Sequence, residues 1–177
     1  MMPFKQMNKQ RILMFLLLLI TVSAVCVTVW ALFFRTTDSV LAPDHAPVTQ
    51  EAHAQPIPGD TGKGADAEPG SGNVSLTYSN QIQINLDSKT AELLFANPGR
   101  SNQDVVLQLV IQDRVILQSG RIAPGNQVTK LDLPQEAAAM LMAGGYEGNF
   151  LVHFYHPNSG EKAIVTTALP VSVMVSE

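Results

Sequence analysis

The rhythm of apolar and polar positions divides this chain into three. Residues 12–34, from Ile12 to Phe34, run without a charge. As a helix rising about 1.5 Å per residue, this run would extend roughly 34 Å, enough to cross the hydrocarbon core of a bilayer. Residues 35–73 show neither helical nor strand periodicity. From residue 74 onward the pattern settles to period two, the signature of strands with one face on a core.

The strands can be placed from that alternation and from the turns between them. Gln81 to Asp87 alternates polar and apolar without a fault, and Ala91 to Ala96 is a second apolar strand closed by the turn signal Asn97-Pro98-Gly99. Asp104 to Gln112 sets Val105, Leu107, Leu109 and Ile111 on one face and Gln108 and Gln112 on the other. A turn at Asp113-Arg114 leads into Val115 to Gln118, and Ala123-Pro124-Gly125-Asn126 leads into Gln127 to Leu133. Pro134 and the Ala-rich stretch to Met142 predict a short helix stopped at Gly144. Tyr146 to Tyr155 is the next strand, and Ala163 to Val175 the last, with Leu169, Val171, Val173 and Val175 on one face. Pro170 predicts that this last strand lies at an edge or a bulge there, because proline cannot donate to a ladder. Seven or eight short strands at this spacing, with no long helices between them, predict an all-β sandwich.

Charge orients the apolar run. Lys5, Lys9 and Arg11 precede it without an acid, Arg35 follows it, and acids then predominate. The positive flank stays cytoplasmic, so the expectation is a single-pass anchor: a cytoplasmic tail at 1–11, a transmembrane helix at 12–34 and an extracytoplasmic remainder. Thr21, Ser23 and Thr28 can return their hydroxyls to the helix's own carbonyls, and Trp30 suits an interfacial belt. A cleaved signal peptide fits less well, since its apolar core is shorter and ends in a small-x-small site. Ser23-Ala24-Val25-Cys26 only faintly matches a lipoprotein box.

The net charge of −4 is distributed unevenly, with six acids against Lys63 alone in residues 36–73. An acidic exterior excludes the basic patch that nucleic acid requires. The one cysteine, Cys26, lies in the apolar run, so the exported part has neither disulfide nor thiolate metal site. Residues 35–73 are rich in Ala, Pro, Gly and Asp and poor in large apolar side chains. They read as a disordered stalk, with His45 and His53 as solvated linker histidines.

Leu141-Met142-Ala143-Gly144-Gly145-Tyr146, opening a strand near the end of the chain, resembles the tyrosine corner of immunoglobulin-like and fibronectin-type-III-like domains. Ile122-Ala123-Pro124-Gly125, followed by an alternating strand and then Gly-Tyr, resembles bacterial exported modules of that kind. The resemblance covers residues 74–177 and implies an immunoglobulin-like β-sandwich in which Tyr146 bonds back to the preceding turn. The chain departs from antibody-type domains: it has no cysteine pair, and its one tryptophan, Trp30, lies in the apolar run. Some exported modules of this type crosslink a lysine and an asparagine between first and last strands. The last strand here has no asparagine and the first no lysine.

A search for chemistry yields no catalytic, cofactor-binding or metal residues. His153 and His156 are three apart on a strand and so point to opposite faces. No Gly-x-Ser-x-Gly, His-Glu-x-x-His or phosphate-cradling loop is present. Asp87 with Glu92, and Asp104 with Asp113, flank turns without the Asp-x-Asp clustering that calcium needs. Asn73-Val74-Ser75 matches a glycosylation acceptor, a three-residue pattern frequent by chance. What remains is surface. Leu151, His153 and Tyr155 form a candidate interaction patch, and Leu169, Val171, Val173 and Val175 a candidate pairing strand. The expectation is a non-enzymatic, membrane-anchored extracytoplasmic module that binds a protein partner. The alternative is a structural subunit of a cell-surface assembly built by strand-edge pairing.

Overall fold

The computed structural model describes residues 14, 17–23, 43–63 and 72–177. The chain divides into two compact units, Met1–Ser39 and Val40–Glu177. In the first, Met14 and residues 17–23 are helical and exposed. Thr21 Oγ1 donates to the carbonyls of Leu17 and Leu18 at 3.2 and 2.9 Å, and Ser23 Oγ to that of Leu19 at 2.8 Å. These are the back-bonds expected of hydroxyls in an apolar helix. Thr28, Trp30 and most of the run from 12 to 34 lie outside the described residues. Among the described residues no helix is long and apolar enough to cross a membrane.

Among the described residues the second unit is built on nine strands: β1 (Gln55–Pro56), β2 (Thr77–Tyr78), β3 (Gln81–Asn85), β4 (Thr90–Asn97), β5 (Asp104–Ile111), β6 (Arg114–Gln118), β7 (Asn126–Asp132), β8 (Gly144–Tyr155) and β9 (Lys162–Ser176). Alternation accounts for their placement. In β3, Ile82 and Ile84 are buried while Gln81 and Gln83 are exposed, and at the end of β9 Val171, Val173 and Val175 are buried between exposed residues. The strands run in the order β1-β7-β4-β3-β9-β8-β5-β6, with β2 added on β4. Every pairing is antiparallel except β3 with β9, where Ile82 faces Val173 and Ile84 faces Val175 in parallel register. That seam joins two halves of a curled sheet, and both halves contribute to one core. Phe95 of β4 and Phe150 of β8 meet there edge to face, ring centres 6.3 Å apart at 76°.

The helix expected over 134–142 is reduced to one turn, Gln135–Ala138. Pro134 supplies no side-chain cap, and of the turn only Ala137 is buried, so too little apolar surface is covered to hold further turns. Just beyond it Tyr146 Oη donates to the Met142 carbonyl at 2.9 Å and accepts from the Met142 N–H at 3.2 Å. This is the bond back to the preceding turn that the resemblance implied. Replacing Tyr146 with Phe should cost about 1 kcal/mol, the usual net worth of such a bond. A lower denaturant midpoint at unchanged slope would register it.

The largest departure from expectation concerns residues 43–63, read above as part of a stalk. They are a strap laid along the β-body. Pro43 accepts from Tyr155 Oη at 3.0 Å, and Asp44 from the Lys162 N–H at 3.0 Å. His45 forms an antiparallel bridge with Glu161, and Gln50 a parallel one with Arg121. The Glu51 carboxylate accepts the Gly120 N–H at 2.6 Å, β1 pairs β7, and the Asp60 carboxylate accepts the Gly99 N–H at 2.7 Å. The Gly99 amide, with the Gly62 N–H, holds the Asp60 carboxyl below its usual range. His53, expected to be solvated, places Nε2 3.1 Å from Asp132 Oδ2. The strap comes so close that a Cβ on Gly120 would lie 2.8 Å from Glu51 N, and one on Gly99 2.3 Å from Gly62 O. Apolar content is a poor guide to such a segment, because backbone bonds and two carboxylates hold it.

Candidate interaction surface

The outer face of β8 was the first candidate patch, and the structure closes most of it. Leu151 is half-buried, but His153 is 3% exposed and Tyr155 fully buried. The Tyr155 hydroxyl ends on the strap at Pro43, and burial, with Asp44 nearby, raises its pKa. His153 belongs to an internal chain of polar groups. Gln108 Nε2 donates to Gln118 Oε1 at 2.6 Å, which leaves Gln108 Oε1 to accept from His153 Nε2 at 2.8 Å. That assigns the imidazole proton to Nε2 and leaves Nδ1, 3.2 Å from Thr166 Oγ1, as the acceptor. Burial, helped by the charge of Lys162, pushes the His153 pKa down to about 4. The ring is neutral at neutral pH and both its nitrogens are used within the sheet. A patch of Leu151, His153 and Tyr155 therefore does not exist as a surface. Gln108, which alternation directs to the outer face, is fully buried there. At the start of β5 Asp104 lies 3.4 Å from Arg121 Nε, and burial raises its carboxyl pKa against the opposing charges of Arg121 and His156.

The second candidate, Leu169, Val171, Val173 and Val175, is also relocated. The three valines point into the core, Leu169 is half-buried against it, and residues 172–176 of β9 are flanked by β3 and by the start of β8. That stretch has no side left for another strand. The earlier part of the same strand does. Residues 163–170 lie beside β8, but on the other side no strand pairs them among the described residues. Two bonds bound the gap: Lys162 N–H to the Asp44 carbonyl at 3.0 Å, and Ser172 N–H to the Asn80 carbonyl at 2.8 Å. Strand alternation carries the direction of the Ser172 amide back to Pro170, Ala168 and Thr166. Ala168 and Thr166 thus aim backbone groups into the gap, and Pro170 sits where its missing donor costs no ladder bond. This agrees with the edge position expected for it.

A groove of about 910 Å³ opens beside this edge, between β9 and the chain leading into β2. Val74, Leu76, Phe154 and Ala163 supply its apolar lining, with Gln103, His156 and Glu161 as polar members. Ile164 is completely exposed and Val165 is 64% exposed. Two adjacent β-branched residues in water on the open side of a strand are the arrangement that edge strands ordinarily avoid. The signal for this site was present in Ala163-Ile164-Val165-Thr166, an apolar and β-branched run in a strand whose later half alternates. No group of three or more His, Cys, Asp or Glu side chains that could hold a metal ion occurs among the described residues.

No family model matches the chain, and no curated protein matches it. Among solved structures, it is similar to AggA, the major subunit of aggregative adherence fimbriae type I from Escherichia coli. The match has a TM-score of 0.30 at 10% identity and covers 64% of this chain and 99% of that one. A likeness at this TM-score carries nothing about function.

Proposed function

We propose that this chain is a non-enzymatic, membrane-anchored extracytoplasmic interaction module that takes up an extended strand of a protein partner along the edge of β9. The observation that carries this reading is the gap at residues 163–170: outward backbone groups at Thr166 and Ala168, two exposed β-branched side chains and an apolar groove alongside. Strand addition works this way, with main-chain bonds supplying affinity and pockets for alternate side chains supplying specificity. The uncharged run at 12–34 and its basic leading flank support the anchor. The curled sheet, the parallel seam of β3 with β9 and the Tyr146 bond support an immunoglobulin-like sandwich as the scaffold.

Crosslinking mass spectrometry on the full chain in its native membrane tests the reading. Lys162 borders the groove, whereas Lys89 and Lys130 lie on exposed positions elsewhere. Crosslinks to a second protein should concentrate at Lys162. They should fall by about tenfold or more when Ile164 and Val165 are both replaced with Glu, since charge on an edge opposes pairing. Partner crosslinks that survive this double change would sink the proposal. Crosslinks only between copies of the chain would point to the assembly subunit instead.

A further inference from the structure

We infer that residues 43–63 form a detachable strap, a unit that opens from the β-body as a whole while the body stays folded. The strap contributes almost nothing to the core. None of its residues is buried, and only Ala54 packs against the central cluster. The surface under it is buried nonetheless: Tyr155, whose hydroxyl ends on Pro43, is fully buried.

What holds the strap is a row of polar contacts. Besides the two carboxylates, the Ala46 N–H donates to the Gly160 carbonyl at 2.8 Å and the Glu51 N–H to that of Arg121 at 3.0 Å. The Arg121 N–H donates to the Thr49 carbonyl at 3.1 Å and the Ile57 N–H to that of Gly125 at 2.9 Å. Each such bond is worth about 1 kcal/mol net, because water replaces it when it opens. Undocking the strap hydrates these groups and uncovers Tyr155, which lies outside the central cluster, but leaves Phe95, Phe150 and the valines of β9 within it. Its opening therefore costs less than global unfolding, as for other segments with few buried apolar contacts. The two glycines under it sharpen the contact: the strap fits only where Gly99 and Gly120 leave room for backbone.

Opening uncovers two edges. β7 loses the pairing of Gln55 with Gln127 and of Pro56 with Asn126, and the end of the β9 edge loses the bridge from His45 to Glu161. The docked strap thus confines any added strand to residues 163–170, and release extends the edge back to Gly160. That last consequence rests on the strand-addition reading; the opening itself does not.

Amide exchange followed by NMR on the full chain in detergent micelles tests the unit. Six of the amides that join strap and body are followed: Ala46, Glu51 and Ile57 on the strap, and Gly99, Gly120 and Lys162 on the body, which donate to it. The six should share one protection factor, about 100-fold or more below that of Leu107 and Val152 in the core strands. Gly120→Ala, whose Cβ would strike Glu51, should lower the six together by about tenfold or more and leave Leu107 and Val152 unchanged. Glu51→Gln should act the same way more weakly and guards against a folding defect in the first variant. Protection of the six equal to that of the core amides, six unrelated values, or a loss shared with Leu107 and Val152 would each overturn the inference. Failure of the crosslinking experiment would leave these outcomes untouched.

Discussion

Replacing Phe95 with alanine should cost about 3–5 kcal/mol of folding stability, the range for deleting a buried aromatic ring. Phe95 is fully buried in β4, its ring sits edge to face on Phe150, and its backbone pairs both β2 and β7. The two rings belong to opposite halves of the curled sheet, so the deletion opens a cavity between the halves. No neighbour can fill it without moving a strand that is paired on both sides. A loss of that size consumes much of the 5–15 kcal/mol that a domain usually has. The variant should show an early denaturant midpoint, whereas Phe95→Leu, which retains most of the volume, should lose markedly less. Equal losses for the two variants would show that ring contact, and not filled volume, dominates.

The second large effect is a dependence on pH. His153 has a folded-state pKa of about 4 against an ordinary value of 6.5. As pH falls through 6.5 the unfolded chain takes up a proton that the folded chain refuses until about 4. Stability from this group is therefore complete above pH 6.5 and declines between 6.5 and about 4. The difference in bound protons approaches one across that window, a slope of about 1.4 kcal/mol per pH unit, which sums to roughly 3 kcal/mol. His153→Gln keeps an amide in reach of Gln108 and removes the titration. Its unfolding free energy should be nearly level across the same window. Asp104, whose carboxyl pKa is raised, acts with the opposite sign near the acid end, and Asp60, held low, loses its contribution only further into acid. Both are common to the two proteins, so the difference between their pH profiles isolates the histidine. Parallel profiles would refute the assignment of a neutral, internally bonded ring.

The strands were legible because one of their faces meets a core and the other water. Ile82 with Ile84, and Val171 with Val173 and Val175, announce themselves by alternation alone. Tyr146 was legible through its neighbours Met142 and Gly144, all within one short stretch. The outer face of β8 was not. A strand with both faces buried reads the same as one with a single buried face when the second is covered by irregular chain, as the strap covers Tyr155. The partners of His153 come from residues 45 and 13 positions away in the chain, beyond any local pattern. The strap itself escaped because composition counts apolar side chains, while Glu51 and Asp60 dock through backbone amides. Gly99 and Gly120 are the places where the strap's backbone comes close, but a sequence does not show φ, and Gly99 read there as part of a turn signal. The pairing edge was displaced within its own strand. Alternation identified the buried half of β9, whereas the unpaired half is the one where alternation fails at Ile164 and Val165.

The strap also decides how the molecule answers to tension. A pull arriving from upstream of residue 43 loads the Pro43 contact with Tyr155 first, then the Asp44 bond to Lys162, then the bridge at His45. Contacts loaded one after another peel at lower force than contacts sheared together. Once residues 43–63 are drawn off, they add about 70 Å of chain at roughly 3.3–3.6 Å per residue. The load is taken up as length before it reaches β2 to β9, so the strap is a fuse of fixed extension placed ahead of the fold.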